Sequence, residues 1–174
     1  MKSAIALLAA LAVSQTFAQQ PAASVSDVST PDALIRAVYE VISGPAGKKR
    51  DWNRMRSLFA EDARMIVVAT RPSGEVIHRT MKVEDYIKQS GPFLEERGFF
   101  EREVARRTES FGNLVHAWST YEARMKADDE KPFMRGINSI QLVGDGKRWF
   151  VSTIFWQAED AKLKLPDKYL KGSG

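Results

Sequence analysis

The sequence predicts an α+β fold in which one curved, mostly antiparallel sheet wraps around three helices drawn from the N-terminal half of the chain. Three observations predict it. Apolar residues recur at helical spacing in two stretches before residue 60 and again in the eighties. From Phe99 to Gln157 the chain is an almost uninterrupted series of strand-forming runs separated by turn residues. The length, 174 residues with 44% hydrophobic and 28% charged residues, suits one globular domain with its own core.

The chain begins with Met1-Lys2-Ser3 and the apolar run Ala4 to Val13. That run is far shorter than the roughly 18–20 residues a membrane span needs, so it is expected to be a signal peptide rather than an anchor. Thr16-Phe17-Ala18 offers small residues at both positions that a signal peptidase reads, which puts cleavage after Ala18 and the product in the periplasm or outside the cell. Residues 19–29 are small and polar and are expected to form a flexible leader.

The elements follow in order. Thr30-Pro31-Asp32 starts a helix through a capping hydroxyl, a proline at the first helical position and an acid near the positive end of the dipole. Leu34, Val38, Val41 and Ile42 form its apolar stripe, with Ile35 and Tyr39 beside it, and Gly44-Pro45 ends it. Asp51 caps a second helix carrying Trp52, Met55, Leu58 and Phe59, and Lys48-Lys49-Arg50 before it reads as a solvated loop. Met65 to Val68 and Glu75 to Ile77 form a hairpin around Arg71-Pro72-Ser73-Gly74. Thr80 is expected to cap a third helix that breaks at Gly91-Pro92. Four strands follow: Phe99 to Thr108, Leu114 to Met125, Phe133 to Val143 and Arg148 to Gln157, giving the order ααββαββββ. The domain is thus expected to span 30–158, with a loose charged tail over 159–174.

Composition excludes several functions. Without cysteine there is no disulfide, thiolate nucleophile, zinc finger or iron–sulfur cluster. The net charge is +4, and +3 without the first 18 residues, a surplus too small and too interleaved for a nucleic-acid footprint. The two histidines, His78 and His116, show no metal-ligand spacing, and no glycine-rich phosphate loop or Gly-x-Ser-x-Gly elbow is present, so neither metal nor cofactor is expected.

Three segments carry a resemblance. They are Ser57-Leu58-Phe59-Ala60-Glu61-Asp62-Ala63 at the end of the second helix, Gly112 to Glu122 (GNLVHAWSTYE), and Arg135 to Leu142 (RGINSIQL) with Asp145-Gly146-Lys147-Arg148-Trp149. Over residues 31–158 the chain resembles the nuclear transport factor 2-like superfamily, in particular its SnoaL-like, ketosteroid-isomerase-like branch. The resemblance implies a cone with a ligand cavity between the concave sheet and the helices. It also implies that His116, Trp118 and Thr120 point inward on one strand, Arg135, Ile137, Ser139 and Gln141 on the next, and Ser152, Ile154 and Trp156 on the last. Tyr39 resembles in position the tyrosine that polarises a carbonyl in ketosteroid isomerases. No catalytic carboxylate is implied, since Ile66-Val67-Val68 and Ser139 stand where such enzymes carry theirs.

The expected site is therefore Tyr39, His116, Trp118, Thr120, Arg135, Ser139 and Trp156, binding a small apolar molecule with an acidic or carbonyl group. Two tryptophans supply stiff apolar walls, Arg135 and Tyr39 donate to an oxygen, and His116 donates or accepts. Alternatives are a lyase, isomerase or hydrolase using His116 as acid or base, and an envelope assembly module; Arg135 in a structural pair with Glu122 is the bland reading of that residue. A homodimer through the outer sheet face is expected, because three helices cover only one of two apolar faces.

Overall fold

The computed structural model describes residues 23–171; the expected signal peptide, residues 19–22 of the leader and residues 172–174 lie outside the described residues. The chain forms helices α1 (Val25–Val28), α2 (Pro31–Ile42), α3 (Trp52–Leu58) and α4 (Val83–Arg97). Its strands are β1 (Phe59–Thr70), β2 (Val76–Met81), β3 (Phe100–Phe111), β4 (Leu114–Arg124), β5 (Met134–Gly144) and β6 (Trp149–Ala158), and a short 3-10 turn spans Asp167–Tyr169. The strands form one sheet in the order β2-β1-β6-β5-β4-β3. Every neighbouring pair is antiparallel except β1 and β6, which run parallel. The α+β class, the curved open sheet and the helices in the N-terminal half match the sequence expectation.

The caps of α2 and α3 are those the sequence predicts. Thr30 Oγ1 accepts from the Ala33 amide at 3.1 Å, and the Asp51 carboxylate accepts from the Arg54 amide at 2.8 Å. The inner side of α2 buries Leu34, Ile35, Val38, Tyr39, Val41 and Ile42. Helix α4 departs from expectation at both ends. Thr80 belongs to β2, and the helix begins at Val83, where the Asp85 carboxylate accepts from the Lys82 amide at 3.0 Å. Nor does it stop at Gly91-Pro92. A side chain at Gly91 would sit 3.1 Å from the Trp52 ring, so glycine lets the indole lie against the helix. Trp52 Nε1 then donates to Glu95 at 2.9 Å and Leu94 is buried, which holds the second half of α4 despite the hydrogen bond Pro92 cannot make.

Arg50, expected in a solvated loop, is buried. Its guanidinium donates to the carbonyls of Ile42 at 3.0 Å, Gly44 at 2.6 Å and Leu94 at 2.8 Å, and its own amide donates to Glu95 at 3.1 Å. One cation with five N–H donors thus ties the end of α2 to α4.

Two flanking segments are more structured than the sequence suggested. Residues 25–28 of the expected leader form α1, where Ser24 Oγ accepts from the Asp27 amide, Val28 is buried, and Asp27 takes both Nε and Nη2 of Arg54 at 2.8 and 2.9 Å. Residues 159–171 of the expected loose tail form a strap across the outer face of the sheet. Glu159 is paired with Arg135 at its start, and at its far end the Tyr169 carbonyl accepts from Thr120 Oγ1 at 2.6 Å. The outer face, expected to be bare for a second copy, is thus partly covered by the chain itself. Phe111, Leu114 and Val143 stay exposed at one end.

Sheet parity is where the sequence reading is overturned. On β4 the face toward the helices carries Val115, Ala117, Ser119, Tyr121 and Ala123, all buried. Cross-strand partners share a face, so Gly136, Asn138, Ile140 and Leu142 of β5 are inward too. His116, Trp118, Thr120, Arg135, Ile137, Ser139 and Gln141 are outward. The physical reason is space: α2 packs close on the sheet, and the small residues of the inward set admit it where an indole would not. On β6, Ile154 and Trp156 do face inward.

Candidate functional site

A cavity of about 400 Å³ lies between the concave sheet face and helices α2 and α4. Its walls include Val38, Met55, Phe59, Met65, Ile154 and Trp156, with Phe93 of α4 at the rim. Into this apolar hollow β3 brings a carboxylate, Glu101, paired across the strands with Ala123 and so on the inward face. The residue is half-buried, and it also borders a smaller polar depression formed with Ser43, Arg102 and Arg124.

A β-bulge places this acid. Glu103 is opposite Tyr121 while Ala105 is opposite Thr120, so Val104 is the extra residue. Before it Glu101 and Glu103 face inward; after it Arg106, Thr108 and Ser110 do. The charges of β3 that read as a solvated strand are therefore divided, and three of them enter a buried network.

Glu101 Oε1 accepts from Asn138 Nδ2 at 3.2 Å, and the same amide nitrogen donates its other hydrogen to the Tyr39 hydroxyl at 3.1 Å. Ser119 Oγ donates to Glu103 Oε1 at 2.5 Å. The 2.6 Å bond between Tyr39 and Ser119 must then run from the tyrosine to the serine, which uses the only proton of that phenol. Arg106 pairs with Glu103 at 3.2 Å and with Asp32 at 2.9 Å, closing the chain of contacts at the protein surface. Tyr39 thus lies in the cavity wall, as expected, but its hydroxyl holds Asn138 and Ser119.

Burial pushes the Glu101 carboxyl up to about 7, against the opposing hydrogen bond from Asn138. Three phenols, Tyr39, Tyr86 and Tyr121, are pushed above the ordinary tyrosine range first by burial and then by the nearby charge of Glu101. Tyr86 meets Trp156 edge to face, with centroids 6.4 Å apart. The hydroxyls of Tyr86 and Tyr121 engage no hydrogen-bond partner among the described residues, leaving two donors for a guest. At Gly136 a side chain would sit 2.7 Å from the Tyr121 hydroxyl and 2.3 Å from the Gln157 carbonyl; glycine gives the phenol its place.

Of the residues the sequence singled out, Tyr39 and Trp156 border this cavity and the other five do not. His116 is exposed on the outer face, its Nε2 2.9 Å from Ser139 Oγ and its ring edge-on to Trp118. Trp118 meets Tyr169 of the strap at a tilt of 48° with centroids 5.8 Å apart, and Thr120 is bonded to the same residue's carbonyl. Arg135 pairs with Glu159, not with Glu122, which takes Arg102 and Arg124 instead. The resemblance places no catalytic carboxylate in the pocket; Glu101 borders it from β3, a strand from which the sequence reading draws no site residue. A signal for it exists in the sequence: Ser119 and Asn138 are polar on an otherwise small and apolar inward face, and buried polar groups need partners.

The sequence matches no family model and no curated protein sequence. Solved structures do match. A protein of unknown function with a cystatin-like fold from Nostoc punctiforme PCC 73102 aligns with TM-score 0.55 at 11% identity, over 74% of this chain and 87% of that one. LinA aligns with TM-score 0.54 at 12% identity, over 73% and 82%. A candidate ketosteroid isomerase from Parabacteroides distasonis ATCC 8503 aligns with TM-score 0.51 at 10% identity, over 76% and 89%. At such identities the likeness concerns the fold, and with the order of elements, the curved sheet and the cavity it encloses, the chain has the α+β cone fold of nuclear transport factor 2-like and ketosteroid-isomerase-like proteins.

Proposed function

We propose that the chain is an exported acid–base enzyme of the isomerase or lyase kind, acting on a small apolar carbonyl compound, with Glu101 as the group that exchanges the proton. The observation that carries this reading is a carboxyl poised near neutrality in an apolar cavity, where a general base works best. Ionised Glu101 removes a proton from the carbon beside the carbonyl. The oxygen gathers the charge and accepts a hydrogen bond from Tyr86 or Tyr121. Glu101 then returns the proton to another carbon, or gives it to the leaving group as the enolate electron pair re-forms the carbonyl and breaks the bond to that group. An anionic guest fits less well than a carbonyl one, because the cavity already holds a carboxylate and Arg135 is outside it.

Nuclear magnetic resonance in deuterium oxide tests this on a panel of small cyclic ketones and enones. The expected result is exchange or migration of the hydrogen beside the carbonyl, slowed by about 10²–10⁴ in Glu101→Gln, with ligand retention intact. Binding without conversion is the second reading, favoured by the use of the Tyr39 proton inside the protein. It stands if the panel binds and no hydrogen exchanges.

A further inference from the structure

The strap of residues 159–171 is tied down at both ends and not in the middle. At its start Arg135 Nε and Nη2 grip Glu159 at 2.8 and 3.2 Å. At its end, besides the bond from Thr120, Arg107 Nη2 donates to the Lys168 carbonyl at 3.1 Å and the Tyr169 ring lies on Trp118. Between these anchors Leu163, Leu165 and Pro166 arch over Trp118, Ile137 and Phe155, and the space enclosed is about 320 Å³. The arch has not collapsed: Leu163 and Phe155 remain 45% and 44% exposed, although they border the same hollow. The size is that of a small-molecule site, about 300–1,000 Å³, and it lies on the opposite side of the sheet from Glu101.

Its walls are apolar, and its rim carries Lys164 together with Glu159, whose charge is paired with Arg135. The carboxylates of the strap's first turn are already engaged, Glu159 by Arg135 and Asp160 by the amides of Lys162 and Leu163. Lys164 borders the hollow, and neither it nor Lys162 has an ion pair among the described residues. Trp118 adds an indole N–H that is shut off from solvent and has no hydrogen-bond partner among the described residues.

We infer that the hollow under the strap is a second binding site, separate from the cone, for a molecule with an apolar body and a single anionic head group that settles beside Lys164. The strap is its clamp, and closing on a guest buries the exposed Leu163 and Phe155 side chains.

Titration of the isotope-labelled whole chain with sodium decanoate, followed by nuclear magnetic resonance, tests the site, with 1-decanol as the uncharged comparison. Decanoate is expected to shift the Trp118 indole N–H and the amides of residues 163–166, and to leave Tyr39 and Asn138 in place. Filling the hollow with Ile137→Trp should weaken decanoate at least about tenfold; Leu163→Asp on the strap, which cannot disturb the core, should do the same if the first variant fails to fold. Lys164→Glu should weaken decanoate about fivefold while changing decanol less than about twofold. The proposal is overturned if decanoate at about 1 mM moves nothing or moves only cone residues. It is equally overturned if sedimentation shows a dimer that Leu163→Asp disperses, since the occupant is then a second copy.

Discussion

Glu101 is a residue whose ionisation matters twice, once for chemistry and once for stability. Its carboxyl titrates near 7 in the folded chain, well above its ordinary value near 4.5, so the folded state holds the proton more tightly than the unfolded one. For a group raised in this way, the stabilising contribution is complete below about 4.5 and is lost as pH rises through about 7. Urea denaturation should therefore show wild-type stability falling between pH 5 and 8 relative to Glu101→Gln, whose own dependence lacks this component. The proposed base catalysis should have the opposite sense, rising with the ionised fraction around the same midpoint. Asn138→Leu removes the hydrogen bond that favours the charged form, so that midpoint should move further up, a shift readable from the Glu101 side-chain carboxyl resonance. An unmoved midpoint would show that Asn138 merely fills space.

Among the elements, β5 depends on one residue. Gly136→Ala drives a methyl group against the Gln157 carbonyl of β6 as well as the Tyr121 hydroxyl. The expected loss of unfolding free energy, read from urea denaturation, is about 1–3 kcal/mol, and Tyr121→Phe in the same chain should not restore it because the carbonyl contact remains. The elements were also the most legible level of the sequence. Thr30 and Asp51 announce their helices because a cap is a local device, and the strands after residue 99 announce themselves by composition. What local signals could not supply was parity. Leu114 to Met125 places acceptable residues on both faces, and the choice between them is made by how closely α2 approaches, a tertiary fact. The same holds for α4, which continues past Gly91-Pro92 because Trp52 packs there, and for residues 159–171, whose alternating leucines and lysines look like a tail until Trp118 and Tyr169 meet.

At the scale of the molecule, Arg50 joins the end of α2 to α4 through three carbonyls. Arg50→Met leaves the carbonyls of Ile42, Gly44 and Leu94 without their donor, each such loss costing about 1–3 kcal/mol where water cannot reach. Amide hydrogen exchange in α4 should accelerate sharply in this variant while β4 and β5 remain protected. Arg50→Lys should not rescue it, because an ammonium cannot reach three divergent carbonyls. The proposed export is also tested on the whole chain. Sequencing the N-terminus of the native protein should give Gln19 or a near neighbour, and recovery of intact Met1 from membranes would reject the signal-peptide assignment.

The extra residue at Val104 works on β3 as a change of reading frame works on a message. On either side of it the strand alternates faithfully, but what is written for the inside before the bulge is written for the outside after it. Deleting Val104 would leave a regular ladder with the same partners, Glu103 opposite Tyr121, Ala105 opposite Thr120 and Arg106 opposite Ser119, so Glu101, Glu103 and Arg106 would all keep facing inward. An ungapped alignment of this strand with a relative lacking the bulge therefore pairs inward residues with outward ones beyond that point. A catalytic acid near the start of β3 can be present in one protein and seemingly missing from the next through a shift of one residue.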